Sequence, residues 1–236
     1  MSTPLPGRTR LPNGTRDGRD ARWEAHRLKR RRQLVEAALK AIQRHGAGVG
    51  MDEVAATAGT SKTVLYRHLG DRAGLYRAVV EAVDETILAD LAAAQASGDD
   101  VVSRIAAMVR SYLFMVERDP EIYRFVMTRP LETTEFDPND PVGELTGRIG
   151  EQLTVVVRDH LVSVGRARDA DLLSPVWAHG IVGLVRAAAD HWLLTNGSGR
   201  PRPEPSVDDV TRAVVALIRP ALTGPGTTPR EPGDRR

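Results

Sequence analysis

Helical spacing of the apolar residues is the feature that most constrains this fold. Between residues 26 and 222 apolar side chains recur every three to four positions, and no stretch alternates apolar with polar residues as a half-buried strand does. The pattern predicts an all-α protein of about nine helices. The predicted helices span residues 26–45, 51–58, 61–69, 72–96, 100–117, 120–128, 142–164, 171–195 and 207–222.

Both ends of the chain are too polar to form a core. Residues 1–22 and 223–236 are rich in Arg, Gly and Pro, and such segments cannot bury enough apolar surface to offset the entropy of ordering them. We therefore predict a disordered basic tail over 1–22 and a disordered tail over 223–236. Between the tails we predict two helical domains, over 23–70 and 71–222.

Composition excludes several classes of protein. The 236 residues include no cysteine, which rules out disulfides, thiolate metal sites and cysteine nucleophiles. No apolar run approaches the ~18 residues of a membrane span, and the N-terminus lacks the apolar middle of a signal peptide. We expect a cytoplasmic protein without membrane contact.

The formal net charge of +2 is an average over two unlike parts. Residues 1–80 hold 16 basic and 7 acidic residues, a charge of +9, whereas residues 81–236 hold 17 basic and 24 acidic residues, a charge of −7. A basic end on an acidic remainder is the asymmetry expected when one end meets a polyanion.

Residues 51–69, MDEVAATAGTSKTVLYRHL, predict two short helices joined by a tight turn. Gly59 can adopt positive φ and end the first helix, and Ser61 can cap the second. This is the helix-turn-helix layout, whose second helix enters the major groove of DNA.

The polar side chains of the second helix suit DNA. Lys62 and Arg67 can donate to guanine and Thr63 can contact a thymine methyl, while Tyr66 and His68 can donate to phosphates. The basic run before helix 1 could reach the backbone or the minor groove. The predicted DNA-contacting residues are Arg30, Arg31, Thr60, Ser61, Lys62, Thr63, Tyr66, Arg67, His68 and Arg72. Each pattern also occurs in helical proteins that bind no DNA, and it is their coincidence in the basic segment that favours DNA binding.

Residues 31–80 resemble the N-terminal domain of the TetR family of bacterial transcriptional repressors. The resemblance rests on LVEAALKAIQRHG for the first helix, DEVAATAGTS for the second helix and turn, KTVLYRHL for the recognition helix and DRAGLYRAVV for the fourth helix. Gly50 departs from the Thr or Ser usual at the start of the second helix, so a side-chain cap and a phosphate contact are missing there. Leu69 stands for the usual Phe, and Arg72 for the usual Lys.

The resemblance implies a homodimer on a pseudo-palindromic DNA operator, with an all-α domain that binds ligand and dimerises. The segment LLSPVWAHGIVGLVRAAADHWLL is apolar on nearly all sides, which is too much for a helix with one buried face. Small residues at helical spacing would let another helix approach closely. The predicted dimer interface comprises Gly180, Gly183, Ala187, Val210, Val214 and Leu217.

Most of the few aromatic residues lie in the C-terminal part, where they could line a pocket for a small organic ligand. The predicted ligand-binding residues are Tyr112, Phe114, Tyr123, Phe125, Trp177, His179, Arg186 and Trp192. The alternative is that these residues pack in an ordinary core, with Arg186 paired to Asp190 at the dimer interface.

An enzyme is the competing class, but the sequence contains no HExxH, GxSxG or phosphate-loop pattern and no spacing suited to a metal. We predict no catalytic residue, no metal and no cofactor. A structural DNA-binding protein without sequence specificity is a further alternative, which the low lysine content and the acidic domain disfavour. The resemblance implies a repressor released from DNA by a small hydrophobic ligand, with the fourth helix as a lever; a ligand-independent regulator or an activator of the same fold is the alternative.

Overall fold

A computed structural model describes residues 14–127, 141–195 and 205–224, and within these residues all regular structure is α-helical. The helices are α1 (Gly14–His45), α2 (Met51–Thr57), α3 (Lys62–Leu69), α4 (Arg72–Ala96), α5 (Val101–Arg118), α6 (Pro120–Met127), α7 (Pro141–Ser163), α8 (Ala167–Thr195) and α9 (Val207–Thr223). The predicted all-α class is confirmed. The remainder of both predicted tails and the segment 128–140 lie outside the described residues.

Helix α1 begins well before its predicted start at residue 26. It opens at Gly14 and takes in the second part of the predicted disordered tail. Acidic residues favour the N-terminal turns of a helix and Ala, Arg and Glu propagate it, and the segment after Gly14 has this composition. Low apolar content therefore did not by itself locate the start of α1.

Side-chain caps fix the starts of several helices. Ser61 accepts a hydrogen bond from the Val64 amide of α3, and Asp71 does the same for the Gly74 amide of α4 at 2.8 Å. Helix α2 has no side-chain cap at Gly50, as predicted from the departure there, although the Glu53 carboxylate accepts from the Gly50 amide at 3.0 Å. These caps set the angles at which α2, α3 and α4 leave their turns.

The buried apolar residues form two clusters. The first joins α1, α2, α3 and the first half of α4, and it also includes α6 through Ile122, Phe125 and Val126. The second joins the rest of α4 with α5, α7, α8 and α9. The start of α4 thus packs with the helix-turn-helix, although the predicted domain boundary precedes it at residue 71. That boundary stays a prediction.

Helices α7 and α8 pack along most of their length. The His179 ring rests on Gly150, where an added Cβ would come within 2.6 Å of the His179 Nε2 and displace the ring. Helix α8 also begins at Ala167, four residues earlier than predicted, and carries Pro175 inside it.

Candidate nucleic-acid interface and apolar cavity

Helix α3 presents a polar face that no other part of the described chain covers. Leu65 and Leu69 are buried against α1 and α2, whereas Tyr66 is 48% exposed and Arg67 is also exposed. The turn before α3 is tight because Gly59 has a φ of +59°, where a side chain would be strained. The arrangement is the predicted helix-turn-helix with its second helix facing outward.

The N-terminal end of α3 is held by an ion pair. The Lys62 ammonium lies beside the Asp52 carboxylate of α2, and both side chains are exposed. An exposed pair of this kind contributes little to stability, so Lys62 can exchange Asp52 for a base edge or a phosphate. Thr63 and Ser61 are exposed next to it, and Thr60 is half-buried in the turn.

Two of the predicted DNA contacts also hold the domain together. The Arg31 guanidinium donates to the His68 carbonyl oxygen at 3.1 Å and to the Glu81 carboxylate at 3.3 Å. Arg72 donates to the Val49 carbonyl oxygen at 3.4 Å. Arg30 donates to Gln33 at 3.2 Å, on the exposed side of α1. The assignment of these arginines to DNA remains a prediction.

The His68 imidazole sits among positive charges. Partial burial lowers its pKa from the ordinary 6.5, and the guanidinium groups of Arg67, Arg30, Arg27 and Arg31 lower it further. The ring is therefore neutral at physiological pH in the free protein and can donate one N–H.

Helices α8 and α9 leave a largely apolar face uncovered, on which the exposed His191 is a polar interruption. On α8 the exposed residues Val176, Gly180, Gly183, Ala187 and Leu194 recur at helical spacing, and a Cβ added at either glycine would meet nothing within 4 Å. On α9, Leu217 is 70% exposed and Val210 is half-buried on the same side.

One predicted interface residue does not lie on this face. Val214 is only 3% exposed and belongs to the C-terminal core, because the inner stripe of α9 packs against the chain's own α5 and α8. The other five predicted interface residues lie on the uncovered side.

Helix α8 is long and apolar enough to cross a membrane by length and composition alone, contrary to the expectation that no run approaches this length. Its 18-residue window has a mean hydropathy of 1.3, and 28% of that window is buried. The low burial reflects the uncovered face.

An almost entirely apolar cavity lies between α4, α5, α6, α7 and α8. The space inside it that is open to a water-sized molecule is only about 60 Å³, well below the ~300–1,000 Å³ common for small-molecule sites, so a ligand of that size would have to move the walls apart. Of the predicted ligand-binding residues, the structure places Tyr112, Tyr123 and Arg186 in its wall.

The other five predicted ligand-binding residues are elsewhere. Phe114 is exposed on the outer side of α5, and Phe125 packs against Tyr76 in the N-terminal cluster. Trp177 lies under the Arg166 guanidinium, 5.3 Å from its ring centre. His179 rests on Gly150, and the buried Trp192 donates to the Pro205 carbonyl oxygen at 2.8 Å. An aromatic residue in the right helix does not indicate which side of that helix faces the cavity.

Two phenols form the polar part of the cavity wall. The Tyr123 hydroxyl donates to the Asp190 carboxylate at 2.6 Å, and the rings of Tyr112 and Tyr123 meet edge to face. Burial raises the pKa of Tyr112 to about 12. Burial, the neighbouring Tyr112 and the Asp190 carboxylate raise the pKa of Tyr123 as well. Both phenols are therefore neutral hydrogen-bonding groups beside Arg186. Asp190, which the sequence suggested as a partner of Arg186, instead accepts from Tyr123.

Most of the cavity wall is aliphatic or methionine, and sequence reasoning did not assign it. Ile105, Met108, Tyr112 and Met115 follow helical spacing on α5. That spacing predicts a buried side but does not distinguish a close-packed core from a cavity wall. Within the described residues no three metal-binding side chains come together.

Helix α6 touches both the cavity and the helix-turn-helix. Ile122 and Val126 line the cavity wall and also belong to the N-terminal apolar cluster. The Glu121 carboxylate accepts from the Ala47 amide at 3.0 Å, Asp119 accepts from Gln43 at 2.7 Å, and the Tyr76 hydroxyl donates to the Val126 carbonyl oxygen at 2.7 Å.

Two family models match the chain, and together they span most of it. Residues 34–79 match the model for bacterial regulatory proteins of the tetR family, and residues 76–222 match a tetracyclin repressor-like C-terminal domain. An uncharacterized HTH-type transcriptional regulator of Mycobacterium tuberculosis is 32% identical over 209 residues, which cover 88% of this chain and 83% of the relative. The HTH-type transcriptional activator FasR of Mycolicibacterium smegmatis is 32% identical over 169 residues, 71% of this chain and 74% of the relative.

Solved structures share the fold at low identity. A transcriptional regulator from Pseudomonas aeruginosa PAO1 aligns with a TM-score of 0.64 at 18% identity, over 83% of this chain and 91% of the other. The regulator FadR from Bacillus subtilis, solved with stearoyl-CoA, aligns with a TM-score of 0.62 at 12% identity, over 82% of this chain and 98% of the other.

Proposed function

The chain belongs to the TetR family of bacterial transcriptional regulators, and from that premise we propose that it is a homodimeric repressor which a small hydrophobic ligand releases from its operator. Membership establishes a DNA-binding transcriptional regulator and not an enzyme. The observation that carries the finer proposal is the position of α6, which has the apolar cavity on one side and the helix-turn-helix on the other.

Helix α6 gives the cavity a direct route to the DNA-binding end. A ligand that separates Ile122 and Val126 from the cavity's far wall must move a helix that is hydrogen-bonded to Ala47 and Tyr76. Asp119, the residue just before this helix, also accepts from Gln43. Packed interfaces of this kind shift between discrete arrangements rather than deform smoothly. The ligand then acts through its different affinity for the two arrangements.

Helix α4 supplies a second route, the lever implied by the resemblance. It begins in the N-terminal cluster and its later residues Val83, Ile87 and Leu91 line the cavity. The buried Asp84 pairs with Arg148 of α7. Burial raises the pKa of Asp84 against the opposing effect of Arg148, so this carboxylate depends on its partner, and a shift of α7 is transmitted to α4.

The uncovered face of α8 and α9 supports a two-fold dimer. A contiguous apolar face on a protein chain marks an interaction site, and Gly180, Gly183 and Ala187 allow a second helix to approach closely. A two-fold axis through such a face would place two copies of α3 about 34–36 Å apart, one turn of DNA, on a pseudo-palindromic operator. With this face buried in the dimer, α8 has no need of lipid, and we place the protein in the cytoplasm.

The cavity's chemistry describes the ligand. Its wall is apolar except for Tyr112, Tyr123, Arg186 and Thr146, so we propose a ligand with an apolar body and one hydrogen-bond-accepting or anionic group. The FadR neighbour was solved with stearoyl-CoA, which supports stearoyl-CoA as the first probe.

The test begins with a duplex selected from random sequence by the wild-type protein. Fluorescence anisotropy then follows its complex with the protein as stearoyl-CoA is added, with coenzyme A alone as the control. We expect stearoyl-CoA to lower DNA affinity at least tenfold and coenzyme A to leave it unchanged. Ile149→Trp, which fills the cavity, should bind DNA normally and lose the response. An equal response in this variant would contradict the cavity assignment, and no response by wild type would contradict the probe class.

A second candidate role is activation, because the relative FasR is a transcriptional activator. Transcription in vitro from a promoter that carries the selected operator separates the two roles. Repression predicts fewer transcripts when the protein is added and their recovery with ligand, and an increase on addition would establish activation instead.

A further inference from the structure

The N-terminal extension of α1 is a charged helix that nothing in the described chain covers. Residues 21–32 hold six basic residues and one acidic residue. Every residue from 21 to 29 is exposed, and Trp23 is 70% exposed. A run of basic side chains on one exposed helix creates a positive field that attracts polyanions. The extension therefore calls for a partner of opposite charge.

The charges on one side of the extension continue the buried stripe of α1. Leu34, Ala38 and Ala41 are fully buried and hold α1 against α2 and α3. Arg30, Arg27 and Trp23 lie on the same side of the helix as Leu34, because they precede it by four, seven and eleven residues. The stripe by which α1 packs on the helix-turn-helix thus changes from apolar to basic where the domain ends.

This basic stripe runs out from the end of the recognition helix. Arg31, at its inner end, donates to the His68 carbonyl oxygen, and the guanidinium groups of Arg27, Arg30 and Arg31 all act on the His68 imidazole. From Arg30 to Trp23 the helix advances about 10 Å. The stripe therefore lies beside the last turn of α3, where Arg67 is exposed.

We propose that the stripe Trp23–Arg27–Arg30 is a second DNA-contacting element, which grips phosphates bordering the groove that α3 occupies. This inference rests on the proposed placement of α3 in the major groove. Double-stranded DNA carries one charge per ~1.7 Å of its axis, so a stripe of about 10 Å meets several phosphates. The Trp23 indole can donate its N–H to one of them.

The present partners of the two arginines are easily exchanged. Arg27 pairs with Glu24, and Arg30 donates to Gln33, both on the exposed helix surface. Such contacts contribute little to stability, whereas an arginine–phosphate contact is charge-assisted. Phosphates can therefore replace Glu24 and Gln33.

The distribution of apolar residues disfavours a membrane as the partner. A helix that lies on a membrane needs one contiguous apolar side. Trp23 and Leu28 are the large apolar residues of the extension, and at 3.6 residues per turn they lie well apart around the helix. DNA requires only the charges and one aromatic edge.

The test compares two double variants of the full-length protein that lose the same charge from the same helix. Arg27→Gln with Arg30→Gln neutralises the stripe, and Lys29→Gln with Arg32→Gln neutralises the opposite side. For each we would measure the slope of log affinity against log KCl concentration on the selected duplex and on a scrambled duplex. Arg27, Lys29 and Arg32 are exposed and Arg30 is half-buried, so circular dichroism and melting temperature should stay close to those of wild type.

Loss of up to two phosphate contacts per protomer should lower the slope by about 3 to 4 for a dimer, since each contact contributes ~0.9. Affinity should fall similarly on both duplexes, because phosphate contacts carry no sequence information. The Lys29/Arg32 variant should change the slope much less. Trp23→Ala should weaken binding without altering the slope.

Arg67→Ala separates this inference from the proposed function. If Arg67→Ala loses the selected duplex while the Arg27/Arg30 variant keeps the wild-type slope, the stripe is not a DNA contact and the recognition helix stands. If Arg67→Ala has no effect, α3 does not lie in the major groove, and the inference that rests on this placement is wrong as well. Equal slopes for the two double variants would mean that the stripe attracts DNA only through the overall charge of the helix, and this would overturn the proposal. Co-flotation of wild type, but not the Arg27/Arg30 variant, with vesicles of phosphatidylcholine and phosphatidylglycerol, without a change in DNA slope, would assign the stripe to membranes and overturn the proposal.

Discussion

Helices α3 and α8 both leave one side uncovered, but the two sides differ in chemistry. The open side of α3 carries Lys62, Tyr66 and Arg67, whereas that of α8 carries Val176, Gly183 and Leu194. A charged side gains most from a polyanion and an apolar side from another apolar surface. On this difference rests our proposal that DNA binds at one end of the molecule and a second copy of the chain at the other.

The largest effect should come from placing a charge on the apolar side. Ala187→Arg would bury an unpaired guanidinium twice in a two-fold dimer, at a cost of about 3–5 kcal/mol, which weakens dimerisation by a hundredfold or more. Sedimentation velocity would measure this. Ala92→Arg, at an exposed position on α4, is the matched control and should stay dimeric. A stable Ala187→Arg dimer would mean that the copies meet elsewhere.

Removing a charge from the polar side should have the next largest effect. Arg67→Ala is expected to cost about 1–3 kcal/mol of DNA binding, a loss of affinity of roughly fivefold to 150-fold by anisotropy on the selected duplex, with the dimer unchanged. Arg77→Ala, an exposed arginine further along α4, provides the control. If the two variants bound equally well, α3 would not be the reading helix.

A third change tests whether the cavity's polar wall is independent of the DNA-binding surface. Tyr123→Phe removes the hydrogen bond to Asp190, and a bond to a charged group contributes about 1.5–3 kcal/mol. For a domain of this size each kcal/mol corresponds to roughly 2–4 °C, so calorimetry should show a melting temperature lower by about 3–10 °C. DNA affinity without ligand should be unaffected. An unchanged melting temperature would show that solvent replaces the bond.

The smallest expected effect is a pH dependence of DNA binding. Burial and nearby arginines lower the pKa of His68 in the free protein, and a phosphate beside the ring would raise it. DNA binding should therefore take up protons and strengthen as pH falls from 8 to 6, by at most tenfold per pH unit and protomer. The folded protein itself should lose some stability as pH falls below 6.5. His68→Gln should flatten the binding profile, and a profile equal to that of wild type would remove His68 from the interface.

The helix-turn-helix was predictable because its local signals agree. Gly59 takes the positive φ that the turn requires and Ser61 caps α3, so sequence and backbone indicate the same boundaries. The cavity was not predictable to the same degree. Its wall depends on how five helices pack, and spacing alone did not separate Tyr112, which lines the cavity, from Phe114, which faces solvent.

The start of α1 and the two apolar sides of α9 show the same limit of prediction from sequence. Charge and glycine content suggested disorder before residue 23, but helix propensity extends α1 back to Gly14. On α9 the apolar stripe predicted both Val214 and Leu217 for the dimer interface, yet one is buried in the chain's own core and the other is exposed. A helix with apolar residues on two sides does not reveal which side packs internally.

The division of the molecule into a DNA-binding end and a dimerisation end is tested most directly by footprinting wild-type protein on a duplex that it selects from random sequence. Two α3 helices related by a two-fold axis predict two protomers per duplex and a pseudo-palindrome whose half-sites lie about 10–10.5 base pairs apart, centre to centre. A single asymmetric protected site bound by one protomer, or the absence of any enriched sequence, would contradict the account.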